Sequence, residues 1–190
     1  MGILTVFFLL FAATDTVLDN PYVHVTKNAA PCAKAGTPGC GDRVIVALGA
    51  VAFHGKQMKR GDLEVFEAGK SYDAPTGHDY LEVTLKPDHP PVKSPPVMIA
   101  PEKNTVVYDG PHLFIFEEKL DPGETRARHS HRQRVVVVLN DTRLQQWPDG
   151  APEVFKQQVP DDVHFNEPVV HIAKTVGEKP LRNIVIELKP

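Results

Sequence analysis

Short apolar runs, rich in valine and leucine, recur along the chain and are separated by turn-forming residues. The runs at 62–66 and 80–86 alternate in part between apolar and polar positions, whereas the run at 43–53 is almost continuously apolar. Similar runs follow at 105–110, 113–120, 134–139, 142–147, 153–159, 169–176 and 182–188. No segment keeps a helical period over several turns, so the pattern predicts an all-β chain built as a sandwich or barrel.

Proline and glycine, which number 18 and 13, mark the turns between these runs. The densest group lies in 86–104, where six prolines disfavour a central strand and predict an extended connector. The expected organisation is therefore an N-terminal portion over 21–86, a proline-rich linker over 87–104 and a C-terminal domain over 105–190. Both portions show an acidic turn, a strand, a second turn and a strand, which indicates a loose internal duplication.

Residues 1–20 allow two interpretations. An apolar run from Ile3 to Ala13, broken only by Thr5, has the length of a signal-peptide core, but no Lys or Arg precedes it and its cleavage site is poor. The alternative is a buried first strand. A leader would direct the protein to the periplasm or outside the cell, whereas a strand would leave it in the cytoplasm.

The two cysteines, Cys32 and Cys40, enclose seven residues rich in Gly, Pro and Ala. A disulfide loop is sterically easy there and is expected if the protein is exported, whereas a cytoplasmic protein would carry two free thiols. A zinc site is not expected, because no second Cys or His pair lies nearby. The spacing is also too long for a C-x-x-C redox motif.

The formal net charge of −3 provides no basic stripe, so nucleic acid is not an expected partner. No apolar run is long enough to span a bilayer. With 42% hydrophobic residues, the chain can bury a core. A small-molecule ligand is the expected partner.

Two of the nine histidines, His129 and His131, are one residue apart at the start of a valine-rich run. Residues two apart on a strand share a face, so both imidazoles enter the same space about 6–7 Å apart along the chain. That spacing suits two ligands of one ion, and His171 is the candidate for a third.

The spacing Gly123-x5-His129-x-His131 resembles the first motif of the cupin superfamily, G-x5-H-x-H-x(3–4)-E-x6-G. The segment 171–189 resembles the end of the second cupin motif, and together the resemblance covers about 113–189. It implies a small jelly-roll barrel in which His129, His131 and His171 bind one divalent transition metal ion, which would be zinc, iron, manganese, nickel or copper.

The N-terminal portion is similar to a cupin that has lost its site. The segment 60–72 follows the second cupin motif, with Glu67 replacing proline and Tyr72 replacing histidine, and no H-x-H precedes it. The resemblance therefore implies two tandem barrels, of which the first is degenerate and supplies packing surface.

The cupin glutamate is missing, because its position falls on Arg134 in one alignment and on Val135 or Val136 by strict counting. If Arg134 points into the pocket, it would repel a divalent ion or clamp a carboxylate or phosphate substrate. If it points outward, a three-histidine site with open positions is left. Gln133 is a candidate weak fourth ligand if the strand continues unbroken past His131.

Three functions remain open. The first is a small metallo-enzyme, resembling dioxygenase, decarboxylase or isomerase cupins, in which His164 and Tyr72 could serve as acid or base only if they line the cavity. The second is a barrel that binds a small anion or sugar at a mouth carrying Arg134, Trp147 and Arg143. The third is a metal-free structural barrel whose histidines bond to one another, to water or to backbone. A homodimer formed through sheet edges is a further expectation.

Overall fold

The computed structural model describes residues 15–100, 102 and 104–190. The apolar run at 3–13, on which the leader prediction rests, lies outside the described residues. Regular secondary structure in the described part is entirely strand, and none of it is a helix able to cross a membrane. The strands are β1 (Asp15–Asp19), β2 (Val23–Lys27), β3 (Arg43–Ala47), β4 (Val51–Phe53), β5 (Lys56–Met58), β6 (Leu63–Phe66), β7 (Tyr80–Leu85), β8 (Asn104–Asp109), β9 (Leu113–Leu120), β10 (Thr125–His131), β11 (Arg134–Val138), β12 (Thr142–Pro148), β13 (Val154–Gln158), β14 (Val163–Asn166), β15 (Val169–Thr175) and β16 (Leu181–Leu188).

These strands form three large antiparallel sheets and one hairpin. The N-terminal sheet has the order β1-β2-β7-β3-β6, and β4 and β5 form the hairpin. The middle sheet has the order β14-β11-β16-β9-β8, and the histidine sheet has the order β10-β15-β12-β13. From β9 to β16 the chain alternates between the middle and histidine sheets, except at the hairpin of β12 and β13, so the C-terminal half is a jelly-roll sandwich. The all-β prediction is confirmed.

One hydrophobic core joins the two halves of the chain. Alternate residues of the middle sheet, such as Val135 and Val137, pack with residues of the N-terminal sheet, such as Val44 and Val83. The opposite face of the middle sheet carries Val136, which packs in a separate cluster inside the barrel. The continuous valine run of β11 is therefore explained, because that strand is covered on both faces.

The other face of the N-terminal sheet is covered by the β4–β5 hairpin and by loops. Ile45, Phe53 and Tyr72 belong to its hydrophobic cluster. Cys32 and Cys40 form a disulfide whose Cα atoms are 5.7 Å apart. Among the described residues, the second layer of this half includes only a two-stranded sheet, so the arrangement of two complete barrels stays a prediction.

The proline-rich segment between β7 and β8 contains no strand in its described part. It runs beside β10, where the Ser130 amide donates to the Ile99 carbonyl (3.1 Å) and the Ile99 amide donates to the Ser130 hydroxyl (2.7 Å). The segment therefore covers the edge of the strand that carries the histidine pair, which satisfies backbone groups that an open edge would leave unpaired.

Candidate metal centre

The register of the histidine sheet brings the three predicted histidines together. His129 of β10 lies directly opposite His171 of β15, and His131 shares the face of His129 two residues further on. Each residue contributes one ring nitrogen to a group of three that lie within 4.8 Å of one another. All three side chains are buried, with residue exposures of 1%, 2% and 4%.

A β-bulge in β10 precedes the pair. Between Arg126 and His129 the register shifts by one residue, so that Ala127 and Arg128 both face outward while Arg126 and His129 both face inward. A bulge re-aims the side chains that follow it. Its effect here is to add the Arg126 guanidinium to the interior that holds the imidazoles.

The glycine of the predicted motif has a conformational role. Gly123 has a φ of 78° in the turn between β9 and β10, a region that side-chain-bearing residues adopt with strain. Its amide donates to the Thr175 carbonyl at 2.8 Å, which fastens the turn to the end of β15. The turn therefore helps to fix β10 beside the strand that carries His171.

Hydrogen bonds orient two of the imidazoles. His129 Nδ1 lies 2.8 Å from the Ala127 carbonyl oxygen, to which it donates its proton. His131 Nδ1 lies 2.8 Å from Glu187 Oε1. These bonds assign both residues to the tautomer whose Nε2 carries a free lone pair. Nε2 of His129 is 3.0 Å from Nε2 of His171, a separation that two ligands about 2.1 Å from one ion can adopt.

The environment keeps the three imidazoles neutral. Burial lowers the pKa of His129 and His131, with Arg134 adding to the effect, and it lowers the pKa of His171 to about 2. Neutral imidazole is the form that binds a metal ion. The donor set of three imidazole nitrogens therefore fits zinc, iron, nickel or copper, and an open position would remain for a further ligand.

Two carboxylates that sequence analysis missed lie beside the cluster. Glu187 of β16 accepts from His131, and Glu118 of β9 lies 2.6 Å from Arg126 Nη1. Both residues point to the barrel interior, where Phe116 and Leu120 share the strand face of Glu118 and Val185 shares that of Glu187. A glutamate on an otherwise apolar strand face was the available signal, because buried carboxylates need a specific partner.

Arg134 points into the barrel, where its side chain lines the cavity. Its Nη1 donates to the Arg132 carbonyl (3.2 Å) and the Glu167 carbonyl (3.0 Å), and burial lowers its pKa to about 10. The repulsion that sequence analysis expected from this charge is offset in part. Glu118 and Glu187 are negative charges near the positive charges of Arg126 and Arg134.

The cavity between the two sheets of the jelly roll has a volume of about 530 Å³. This size suits a small-molecule ligand. Its wall is mixed, with apolar, amide, cationic and imidazole groups and one carboxylate, that of Glu118. The lining residues are Leu18, Glu118, His131, Arg134, Val136, Leu144, Gln146, Lys156, Gln157, Gln158, Val163, His164, Phe165, Asn166, His171, Asn183 and Val185.

The remaining predicted pocket residues lie in different places. His164 lines the cavity from β14, but it is exposed and its Nε2 is 3.9 Å from Asp162 Oδ2. Gln133 does not share the face of His129 and His131, because β10 ends at His131 and a bend follows. The Gln133 amide instead accepts from the Lys93 backbone amide and donates to Glu167.

Trp147 lies outside the cavity lining. Leu144 and Gln146 of β12 face the cavity, so Trp147 faces the opposite side of the sheet, where its Nε1 donates to Glu153 at 3.1 Å. Tyr72 is also outside this site. Its hydroxyl donates to the buried Glu82 carboxylate in the N-terminal half.

Comparison with known proteins places the fold. No protein-family model matches the chain, and no curated protein sequence matches it. The cupin 2 conserved barrel domain protein from Leptotrichia buccalis is 16% identical, with a TM-score of 0.51 over 93% of this chain and 88% of its own. AerE from Microcystis aeruginosa is 13% identical, with a TM-score of 0.50 over 93% of this chain and 97% of its own.

At these identities the likeness concerns the fold and not the activity. The alternation of strands between two sheets, the interior histidine cluster and the two structural matches agree with one another. The chain therefore has the cupin fold, as the spacing of Gly123, His129 and His131 predicted.

Proposed function

We propose that the C-terminal barrel holds one divalent transition metal ion on His129, His131 and His171, and that a small molecule in the cavity is acted on beside it. The single observation that carries the proposal is the convergence of three buried imidazoles, two of which, His131 and His171, line the cavity. Protein groups satisfy Nδ1 of His129 and of His131, which leaves Nε2 of each ring as the atom available to a shared ligand.

A bound ion of this type supplies Lewis acidity or activates dioxygen, which are the chemistries of a metallo-enzyme. The chain's own residues have two roles. Glu187 and the Ala127 carbonyl hold His131 and His129 in the tautomers that present Nε2. Phe116, whose ring stacks on His131 with centroids 6.0 Å apart, is part of an apolar wall that limits water around the site.

One observation favours a second candidate, a metal-free ligand-binding barrel. The Nε2 atoms of His129 and His171 are close enough to share one proton in a direct hydrogen bond. Such a bond would satisfy both rings without an ion. The two candidates differ in whether a small molecule needs a bound metal ion in order to bind in the cavity.

The test is metal analysis of protein purified without a His tag, followed by reconstitution with zinc, iron, manganese, nickel and copper salts. We expect one ion per chain in the wild type and little retention in His129→Asn and His171→Asn. The matched control is His164→Asn, because His164 lines the same cavity outside the cluster. Failure of the wild type to retain any of these metals, or equal loss in the control, would overturn the proposal.

A further inference from the structure

We infer that the ligand of this cavity is a small oxyanion, carrying a carboxylate or a phosphate group, that Arg134 and Lys156 hold beside the histidine cluster. The inference deepens the proposed function, because it names the substrate class of the same site. It rests on two cations in one cavity and on the absence of an acidic partner for either of them among the described residues.

Of the two cations, Arg134 gives the stronger support for an anion site. The residue is 8% exposed, and both of its hydrogen bonds run from Nη1 to backbone carbonyls. In the part of the chain that the structure describes, no carboxylate oxygen lies within 4.0 Å of its guanidinium. A buried charge is costly unless it is paired, so an unpaired guanidinium at a cavity wall indicates a place for an anion.

The nearby carboxylates are already engaged. Glu118 lies 2.6 Å from Arg126 and also accepts from Asn183 at 3.3 Å. Glu187 accepts from His131, and Arg132 lies 3.6 Å from its second oxygen. These carboxylates moderate the field around Arg134, but neither contacts its guanidinium, whose fork suits bidentate binding of a carboxylate or phosphate.

Lys156 provides the second cation. It lies on β13 at the cavity mouth, lines the same cavity as Arg134, and forms no ion pair with any described carboxylate. Burial and the charge of Arg134 both lower its pKa. Two like charges that face one cavity repel each other, and an anion between them would remove that cost.

The two cations and two of the histidines line the same cavity, whose volume limits the size of the ligand. Arg134, Lys156, His131 and His171 all line one cavity of about 530 Å³. A small molecule anchored at one end by the two cations can therefore reach the histidine cluster with its other end. This arrangement would hold a substrate in one orientation, since the charged end has a fixed partner.

The experiment is calorimetric titration of the full chain with malonate, with inorganic phosphate and with neutral malonamide, each in metal-free and zinc-loaded protein. We expect at least one of the two anions to bind and malonamide not to bind. Arg134→Gln should weaken anion binding by roughly ten- to a hundredfold, since a hydrogen-bonded charge is lost. Lys156→Gln should weaken it several-fold. The relative affinities of malonate and phosphate identify the oxyanion that the site prefers.

Arg143→Gln is the matched control. Arg143 lies on β12 outside the cavity lining, with its guanidinium carbon 4.7 Å from the centroid of the Phe155 ring, so its loss should leave anion affinity unchanged. Lys156→Gln alters an exposed side chain and so keeps the test decisive if Arg134→Gln does not fold. If neither anion binds, or if Arg143→Gln weakens binding as much as the cavity variants, the inference is overturned.

The two proposals can fail separately. Anion binding that depends on Arg134 in protein that never retains metal would support the anion site and refute the metal site. If the protein retains metal, but Arg134→Gln and Lys156→Gln leave anion affinity unchanged, the metal site is supported and the anion site is refuted.

Discussion

Replacing Glu187 with glutamine tests whether the contact between Glu187 and His131 prepares the site for metal. The two side chains are 2.8 Å apart and both are at most 4% exposed, so solvent screens the contact little. An amide oxygen can still accept from Nδ1, but it does so without charge. A hydrogen bond to a charged group contributes about 1 kcal/mol more than a neutral one, which corresponds to a loss of zinc affinity of roughly fivefold.

The assay is competition for zinc between the protein and a chromogenic chelator, with protein concentration and pH held constant. The matched control is Glu153→Gln, because Glu153 is an exposed carboxylate that accepts from Trp147 and Gln145 outside the cavity. We expect the control to bind zinc as tightly as the wild type. Equal affinity of Glu187→Gln and wild type would refute the idea that this carboxylate orients a ligand.

Three further perturbations have defined outcomes. Arg126→Met leaves Glu118 buried without its cation and should lower the free energy of unfolding by about 3–5 kcal/mol in urea titrations, whereas adding Glu118→Gln should recover part of that loss. The metal-free protein should lose stability as the pH falls below about 6.5, the pKa of histidine in the unfolded chain. The reason is that His171 binds a proton in the unfolded chain at this pH, whereas in the folded protein its pKa is about 2 and it stays neutral. Unfolding curves measured across this pH range should show a smaller loss of stability for His171→Gln than for the wild type. Tyr72→Phe removes the hydroxyl that donates to buried Glu82 and should cost about 1–3 kcal/mol in unfolding measurements, while zinc affinity stays unchanged.

The sequence pattern predicted the strands and the three clustered histidines because both depend on local rules. Alternation fixes which face of a strand is buried, and a spacing of two fixes that His129 and His131 share a face. That the strand of His171 pairs with the strand of His129 could be inferred only through the resemblance to cupins. Its register opposite His129 is a long-range property.

The predictions of pocket residues failed where a strand ends or where the sequence does not show which face of the strand points inward. Gln133 follows a bend, so counting along the strand no longer predicts its direction. Trp147 was expected at the barrel mouth, but the parity of β12 turns it away from the cavity. Glu118 and Glu187 were missed because a search along the motif could not find carboxylates that two other strands contribute.

The core that the N-terminal sheet shares with the middle sheet determines how cooperatively the protein unfolds. Neither half can lose its structure without exposing to water the valines and isoleucines of the other half, at a cost of about 1.5–3 kcal/mol for each side chain. We therefore expect one cooperative melting transition in calorimetry, and not two. Limited proteolysis within 86–100 should leave the two fragments associated, since this contact, and not the covalent connection, holds them together.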